Sequence, residues 1–413
     1  MANNILVAQS GGPTCAINAS LSGVIQEAMR QEKIGAVYGA LNGIQGIMDR
    51  RIIRLDSQMH SEGDFQLLES TPAMALGSCR YRLPEYSVAP DVYKLIAGVM
   101  QDLEIGYFFY IGGNDSMDTA HKLGVFFAEE GIDIKVMGIP KTIDNDLPCT
   151  DHTPGFGSAA KYIATSILEI IRDTQVYNLP SVTIVEIMGR NAGWLTAASV
   201  LPHVVGEKAP HLVYLPEVPF DPDQFIEDIK AAQLEHKAVL VAVSEGVKTA
   251  EGRYVAESVQ DETVDAFGHK YLSGIGKYLE RYVLEKLGCK VRSVELSVLQ
   301  RCAAHIQSAC DIEEARLLGA GAVQRALAGE TGRMIALVRT SNDPYAVELG
   351  TFPLEEAANK ERKVPAEWIL PGNKDLSQEA YDYLLPLIAG ERSCPVQAGM
   401  PVHFHFDKTP LEF

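Results

Sequence analysis

The chain has 413 residues, of which 46% are hydrophobic, so it is long enough to form two or more domains with buried cores. Its formal net charge of −18 opposes nonspecific attraction to nucleic acid or to an anionic membrane, and neither is expected as a partner. The amino terminus lacks a basic region followed by an apolar run, and no segment reads as a membrane span. Seven scattered cysteines form no Cys-x-x-Cys pair, so we expect a cytoplasmic protein with reduced thiols.

Apolar β-type segments alternate with helical periodicities, a pattern typical of an α/β fold with a mainly parallel sheet and helices on both faces. The predicted strands, in chain order, cover residues 5–8, 106–111, 134–139, 182–187, 211–215, 239–243 and 334–338. Helices are predicted between them, including one over 272–287 that Gly288 would end, and a last one over 378–387. Residues 355–375 are rich in charge and proline, which predicts a linker-like surface excursion before the last helix.

Two glycine-rich turns directly follow predicted strands. Residues 10–12 (Ser-Gly-Gly) follow the first strand, and residues 112–116 (Gly-Gly-Asn-Asp-Ser) follow the strand at 106–111. Glycine lets the backbone approach a phosphate closely, and the N–H groups of the next helix point at the anion. Ligands of open α/β sheets bind at such strand ends. Because neither a Walker motif nor a G-x-G-x-x-G fingerprint is present, the common nucleotide-binding interpretations fail.

A third segment, residues 138–146, sets a lysine, a threonine and two carboxylates close together after another strand. Lys141 can hold a transferring phosphate, Thr142 can bond one of its oxygens, and a carboxylate can take the proton of an attacking hydroxyl. An isolated Asp-Asn-Asp would be an ordinary turn. Three converging turns favour phosphoryl transfer instead. Several cations accompany them and would give a locally positive field, namely Arg80, Arg82, Arg190, Arg292 and Arg301.

Seven short motifs, in this order along the chain, resemble the signature blocks of the phosphofructokinase family over roughly residues 1–340. They are Ser10-Gly11-Gly12, Leu76-Gly77-Ser78-x-Arg80, Gly112-Gly113-x-x-Ser116, Thr142-Ile143-Asp144-Asn145-Asp146, Met188-Gly189-Arg190, Ser244-Glu245-Gly246 and Gln300-Arg301. The resemblance implies two Rossmann-like three-layer α/β/α domains. Residues 1–149, completed by part of 300–350, would bind the phosphoryl donor, and residues 150–300 the sugar phosphate. A C-terminal extension would cover 351–413, and the chain would form a homodimer or homotetramer.

The resemblance also implies roles for individual residues. Asp144 would deprotonate the sugar 1-hydroxyl, and the other catalytic residues would be Lys141, Thr142, Asp146 and Arg190. The donor would be bound by Gly11, Gly12, Arg80, Gly113, Asp115, Ser116 and Lys141. The sugar phosphate would be bound by Thr142, Asp144, Met188, Gly189, Arg190, Glu245, Arg292 and Arg301. A Mg²⁺ cofactor would lie at Asn114 and Asp146, where Asn114 provides an uncharged amide in place of the family's carboxylate.

Two positions indicate the phosphoryl donor. ATP-dependent relatives have glycine at the positions of Asp115 and Lys141, whereas pyrophosphate-dependent relatives have aspartate and lysine. The Asp115 carboxylate would repel the α-phosphate of ATP, and Lys141 could hold the terminal phosphate of pyrophosphate. The resemblance therefore implies reversible transfer from pyrophosphate to the 1-hydroxyl of fructose 6-phosphate, giving fructose 1,6-bisphosphate and phosphate.

Three alternatives stay open at this point. An ATP-dependent enzyme would require the nucleotide to tolerate Asp115 and Lys141. A different substrate, such as sedoheptulose 7-phosphate, would fit the presence of Ser181 and Val298 where the family often has arginine and histidine. A noncatalytic regulatory subunit would have no need of the complete Thr-Ile-Asp-Asn-Asp motif at 142–146.

Overall fold

The computed structural model describes residues 3–255 and 274–413. Its strands are β1 (Asn4–Gln9), β2 (Val37–Ala40), β3 (Ile52–Arg54), β4 (Ile105–Gly112), β5 (Lys135–Pro140), β6 (Ser181–Ile187), β7 (Leu212–Tyr214), β8 (Ala238–Ser244), β9 (Lys290–Glu295), β10 (Arg333–Asn342), β11 (Tyr345–Pro353), β12 (Val396–Gln397) and β13 (Met400–Pro401). Its α-helices are α1 (Ile17–Arg30), α2 (Gly43–Met48), α3 (Glu62–Ser70), α4 (Pro90–Asp102), α5 (Asn114–Glu129), α6 (Phe156–Thr174), α7 (Trp194–Ala197), α8 (Pro222–Glu235), α9 (Ile275–Leu287), α10 (Leu299–Cys302), α11 (Ala309–Leu327), α12 (Leu354–Ala357) and α13 (Gln378–Leu387). None of the helices in the described residues is long and apolar enough to cross a membrane.

The first large sheet has the strand order β11-β10-β5-β4-β1-β2-β3. Its central strands are parallel, whereas β3 and β11 pair antiparallel at the two edges. Helices α4 and α5 pack on one face of the sheet, and α1 and α11 pack on the other. The result is a three-layer α/β/α unit in which β1, β4 and β5 end together at one edge.

The second sheet has the order β7-β8-β6-β9, and all of its strand pairs are parallel. Helices α6 and α13 pack on one face, and α8 and α9 pack on the other. Every residue of β6 and β8 is buried, as expected for parallel strands that are covered on both faces. The predicted pair of three-layer α/β/α units is therefore confirmed.

All seven predicted strands are present, and most of their ends differ from the prediction by a single residue. The largest difference is in β10, which continues to Asn342 because it forms a hairpin with β11. Helix α13 has the predicted bounds, and α9 ends at Leu287, followed by Gly288 with a φ of +62°. The predicted start of that helix, residue 272, lies outside the described residues.

Strands β2, β3, β9, β11, β12 and β13 were not predicted from the sequence. The first two have four and three residues, too few to show a periodic pattern. Strand β9 is largely polar and only half-buried. Such strands form because a neighbouring strand is available for pairing. The intrinsic preference of their own residues for the β conformation contributes little to their formation.

The chain after β11 connects the two units and is partly buried. Helix α12 packs in the core beside α5, and Val364 and Leu376 are buried against the second unit. Trp368 and Tyr383 pack around Trp194, with ring centroids 5.9 and 5.2 Å from it. Within 355–375, Ala357 and Val364 are buried, so the predicted surface excursion does not hold at these two positions, whereas most of the other residues are exposed.

Candidate active site

One large cavity lies where the strand ends of the two sheets face each other. Its volume is about 1060 Å³, and it is lined by the turns that follow β1, β4, β5, β6 and β8. The predicted site residues that line it are Gly11, Gly12, Arg80, Gly113, Asn114, Asp115, Ser116, Lys141, Thr142, Asp144, Asp146, Met188, Arg190, Glu245 and Arg301. The fold thus brings together residues separated by up to 290 positions in the sequence.

The first glycine turn lies against Lys141. Gly11 has a φ of +81°, and a Cβ atom at this position would lie 3.2 Å from the Lys141 Nζ. The same Nζ donates a 2.6 Å hydrogen bond to the carbonyl oxygen of Gly12. Burial lowers the pKa of Lys141 to about 7, against the opposing effect of the Asp144 charge. A bound anion would stabilise the charged form of this lysine.

The second glycine turn begins helix α5. Gly113 precedes the helix, and the first turn carries the exposed Asp115 and the buried Ser116. The hydroxyl groups of Ser116 and Ser10 are 2.5 Å apart, so they join the two glycine turns. A Cβ atom at Gly112 would lie 2.0 Å from the Ser116 Oγ, which leaves room only for glycine. The helix start therefore presents N–H groups to the cavity, with one carboxylate beside them.

The loop after β5 directs two carboxylates into the cavity. Asn145 is fully buried with a φ of +53°, whereas its neighbours Asp144 and Asp146 line the cavity. The Asn145 Oδ1 accepts a 3.1 Å hydrogen bond from the N–H of Thr153. The Asp144 N–H donates a 3.1 Å hydrogen bond to the Oγ1 of Thr142. Because asparagine tolerates left-handed backbone, the loop can turn in this way with little strain.

Asp144 is a partly buried carboxylate among cationic groups. Burial raises the pKa of Asp144, and the charges of Lys141, Arg190 and Arg301 oppose that rise. Burial and the charge of Asp144 raise the pKa of Asp146 as well. A carboxylate with a raised pKa is a better proton acceptor than an exposed one. A hydroxyl group that is bound next to Asp144 could therefore transfer its proton to it.

The opposite side of the cavity is formed by the turns after β6 and β8. The Gly189 N–H donates a 3.3 Å hydrogen bond to the Glu245 Oε1, and the Ser244 hydroxyl donates a 2.6 Å bond to the Gly189 carbonyl oxygen. Burial raises the pKa of Glu245 to about 7, although the Gly189 N–H opposes this effect. The Met188 N–H donates to the side chain of Gln300 at 3.1 Å. The bond from Gly189 holds the Glu245 carboxylate, which can accept hydrogen bonds from the hydroxyl groups of a ligand.

Arg190 and Arg301 supply positive charge to the same side. The Nε atom of each is buried, and neither has a hydrogen-bond partner within residues 3–255 and 274–413. A buried donor without a partner is costly, so this arrangement is best explained by a ligand that accepts hydrogen bonds. Phosphate esters suit guanidinium groups because they accept parallel, charge-assisted bonds.

Two residues predicted to bind substrate do not line the cavity. Gly189 is not among the residues that line the cavity, but its N–H donates to the Glu245 carboxylate. Arg292 lies in the middle of β9, where it is paired with Thr183 of β6, and its side chain donates a 2.9 Å hydrogen bond to Asp173. Arg292 therefore does not line the cavity within this chain, and its role in binding the sugar phosphate stays a prediction.

Asn114 and Asp146 form a pair of potential metal ligands. The side-chain amide of Asn114 has two possible orientations. In one of them its NH₂ group donates hydrogen bonds to the carbonyl oxygens of Lys360, at 2.9 Å, and of Ala357, at 3.0 Å. The amide oxygen of Asn114 then takes the position 3.3 Å from the Asp146 Oδ2. Two such oxygens fit a hard divalent cation. The described residues contain no group of three or more His, Cys, Asp or Glu suited to a metal.

Comparison with known proteins identifies the family. The family model described as phosphofructokinase matches residues 4–326. The chain belongs to the phosphofructokinase family. It is 40% identical over 403 residues to the pyrophosphate–fructose 6-phosphate 1-phosphotransferase of Methylococcus capsulatus, a match that covers 97% of this chain and 95% of that relative. The relative of the same name from Halomonas elongata is 38% identical over 402 residues, with the same coverage.

Solved structures of phosphofructokinases share the fold. The crystal structure of the pyrophosphate-dependent phosphofructokinase from Nitrosospira multiformis gives a TM-score of 0.90 at 35% identity. That match covers 100% of this chain and 98% of the other. The likeness therefore includes the C-terminal residues that lie beyond the family model.

The phosphofructokinase cavity also contains residues that the sequence analysis did not select. Asn191, Asn359 and Glu361 line it, and the Asn191 side chain donates a 2.7 Å hydrogen bond to the Glu361 Oε1. Asn191 follows Arg190 directly, so its position in the motif was a usable signal. Asn359 and Glu361 lie in a charged segment that resembles a solvated linker, and nothing in the sequence near them indicates a site.

Proposed function

We propose that this phosphofructokinase catalyses the reversible transfer of a phosphoryl group from pyrophosphate to the 1-hydroxyl of D-fructose 6-phosphate, giving fructose 1,6-bisphosphate and phosphate. The observation that carries the proposal is the presence of Asp115 and Lys141 in the same cavity as Asp144. The names of the relatives at 38% and 40% identity agree with pyrophosphate as the donor.

Pyrophosphate would bind on the side of the glycine turns. The N–H groups at the start of α5, the Lys141 ammonium and the Arg80 guanidinium would neutralise its charge. Asp115 lies in the first turn of α5, so its carboxylate would be close to the α-phosphate of ATP, which pyrophosphate lacks. Repulsion between that phosphate and the carboxylate would disfavour the nucleotide.

Fructose 6-phosphate would bind on the opposite side. The guanidinium groups of Arg190 and Arg301 would hold its 6-phosphate, and Glu245 would accept hydrogen bonds from its hydroxyls. The 1-hydroxyl would then lie beside Asp144. Arg190 and Arg301 are also close enough to lower the pKa of Asp144 electrostatically, which favours its ionised form.

The reaction would proceed by in-line displacement. Asp144 takes the proton of the 1-hydroxyl as its oxygen attacks the terminal phosphorus of pyrophosphate, and the bond between that phosphorus and the bridging oxygen breaks. The leaving group is phosphate, and Lys141 and Thr142 stabilise the charge on the transferring group. In the reverse direction, phosphate at the donor side attacks the 1-phosphoryl group of fructose 1,6-bisphosphate, the bond between that phosphorus and the sugar oxygen breaks, and protonated Asp144 returns its proton to the sugar oxygen.

A divalent cation, which we propose is Mg²⁺, would be held by the amide oxygen of Asn114, the carboxylate of Asp146 and oxygens of pyrophosphate. When bound, it would neutralise charge on the phosphoryl oxygens. Asn114 keeps its oxygen toward Asp146 because the Ala357 and Lys360 carbonyls accept from its NH₂ group. Cytoplasmic location and assembly into a homodimer or homotetramer remain predictions, and mass photometry would test the assembly.

The direct test is a comparison of initial rates with fructose 6-phosphate and Mg²⁺, using pyrophosphate or ATP as the donor. We expect turnover with pyrophosphate and none with ATP, together with a reverse reaction that requires phosphate. Turnover with ATP alone would overturn the donor assignment. The assigned acceptor would be overturned if neither donor reacts with fructose 6-phosphate and pyrophosphate reacts with sedoheptulose 7-phosphate instead.

A further inference from the structure

The chain that follows α12 contacts both sides of the cavity although it lies beyond the region matched by the family model. Residues 357–364, called the strap below, begin with the carbonyls of Ala357 and Lys360 near Asn114. Glu361 accepts a hydrogen bond from Asn191, and the N–H of Val364 donates a 3.1 Å bond to Glu217. The strap therefore contacts the helix start on the donor side and the turns on the sugar side.

Arg362 of the strap bonds the loop that carries the predicted base. Its backbone N–H donates a 2.7 Å hydrogen bond to the carbonyl oxygen of Asp146. Its Nη2 donates to the carbonyl oxygen of Asn145 at 3.1 Å. Its Nη1 donates to the carbonyl oxygens of Thr150, at 3.1 Å, and of Asp151. One side chain thus bonds the backbone near both ends of the segment 145–151.

Aromatic side chains fix the Arg362 guanidinium in this position. It lies over the Trp194 ring at 4.8 Å, and its Nη2 donates a 3.1 Å hydrogen bond to the Tyr383 hydroxyl. The Tyr383 hydroxyl also accepts a 2.8 Å bond from the side chain of Asn145. A planar group with several donors can bond to several carbonyls while it stacks on an aromatic ring, whereas lysine carries only one ammonium.

We propose that Arg362 is a positioning residue that holds the loop so that Asp144 faces the acceptor hydroxyl, and that the strap is consequently part of the catalytic site. The Arg362 side chain touches no predicted substrate position and acts through the backbone on either side of Asn145. The effect of Arg362 on catalysis rests on the proposed function. Its effect on the order of the loop is independent of that function. A displacement of about 1 Å at a reacting group can reduce the rate by about 100-fold.

The variant Arg362→Lys keeps the charge but cannot reproduce the fork of donors, and Arg339→Lys is its matched control. Arg339 also packs on Tyr383, at 4.7 Å, and donates a 2.9 Å bond to the Asp151 carboxylate, but it donates to neither Asn145 nor Asp146. We expect Arg362→Lys to lower kcat by about 100-fold with both KM values nearly unchanged. Arg339→Lys should lower Tm and leave kcat near that of the wild type.

Hydrogen exchange of the full-length protein provides a readout that needs no turnover. In Arg362→Lys, amides of the segment 142–153 should exchange faster, including the Thr153 N–H that donates to Asn145. Arg339→Lys should leave exchange of residues 142–146 unchanged, because Arg339 contacts the segment only at the Asp151 carboxylate near its far end. If Arg362→Lys does not fold, Tyr383→Phe, which removes only the shared hydroxyl, must produce the same pattern.

The outcomes separate this proposal from the proposed function. Unchanged loop exchange in Arg362→Lys, or an equal fall of kcat in both arginine variants, would overturn the positioning role. An inactive wild-type enzyme with pyrophosphate and fructose 6-phosphate would overturn the proposed function, and the exchange data would still decide whether Arg362 orders the loop.

Discussion

The side-chain amide of Asn145 donates a 2.8 Å hydrogen bond to the hydroxyl of Tyr383, 238 positions later in the chain. Tyr383 is on α13, which packs in the core of the second unit, and its hydroxyl donates in turn to the carbonyl oxygen of Asp151 at 2.7 Å. The turn between Asp144 and Asp146 is therefore held by the C-terminal helix. The activity of this phosphofructokinase should depend on residues outside the family's own motifs.

Replacing Tyr383 by phenylalanine should lower both stability and turnover. It removes one hydroxyl from a buried network, which costs about 1–3 kcal/mol of the free energy of unfolding. Tyr381→Phe is the control, because Tyr381 is on the same helix and its hydroxyl bonds to Asp375 and His203 instead. Both variants should unfold at lower denaturant concentration, but only Tyr383→Phe should lose kcat. Equal kcat values in the two variants would contradict the link between α13 and the loop.

Replacing Asp144 by serine should abolish the proton acceptor and leave the cavity intact. We expect kcat to fall by about 10²–10⁴-fold, the range typical of general-base catalysis. Because Arg190, Arg301 and Glu245 are retained, fructose 6-phosphate should still raise Tm as it does for the wild type. Near-normal turnover in this variant would show that another group takes the proton.

Replacing both Asp115 and Lys141 by glycine should weaken discrimination between donors. Loss of the Asp115 carboxylate removes the repulsion of the α-phosphate of ATP, and loss of the Lys141 ammonium removes a contact to pyrophosphate. The ratio of kcat/KM for pyrophosphate to that for ATP should therefore fall, which initial rates with each donor would measure. If ATP remains unreactive while pyrophosphate is used as before, donor choice lies in other residues.

The stability of the protein should decrease in alkaline solution because of His152. Its Nδ1 and Nε2 lie 2.8 and 2.6 Å from the carboxylates of Asp151 and Glu314. Burial alone would lower the pKa of His152, but hydrogen bonds to these carboxylates raise the pKa from 6.5 to about 9. Because the pKa is higher in the folded state, the stabilisation is complete below about pH 6.5 and is lost as the pH rises through about 9.

The expected loss is on the order of 3 kcal/mol, since one pKa unit corresponds to about 1.4 kcal/mol. Urea unfolding across this pH range would measure it. The exposed His305 provides the control: His305→Gln should keep the pH dependence, whereas His152→Gln should flatten it. A free energy of unfolding that stays constant from neutral to alkaline pH in the wild type would contradict the role of His152.

The sequence predicted the sheet and most of the cavity because both depend on local patterns. Apolar strands such as β6 and β8 are recognisable by composition, and the glycine turns and the loop at 142–146 follow strands whose ends meet. A motif does not show whether a side chain lies within a strand or beyond its end, so the sequence did not show that Arg292 lies outside the cavity of this chain. Arg362 and Tyr383 were missed because their partners are backbone and side-chain groups more than 200 positions away.

The central claim is that pyrophosphate and fructose 6-phosphate are interconverted with phosphate and fructose 1,6-bisphosphate at this site. Phosphorus NMR of two mixtures, one begun with each pair of compounds, tests it most directly. We expect wild-type enzyme with Mg²⁺ to bring both mixtures to the same ratio of the four compounds, and Asp144→Ser to approach that ratio about 10²–10⁴-fold more slowly. Hydrolysis of pyrophosphate to phosphate without formation of the bisphosphate would contradict it.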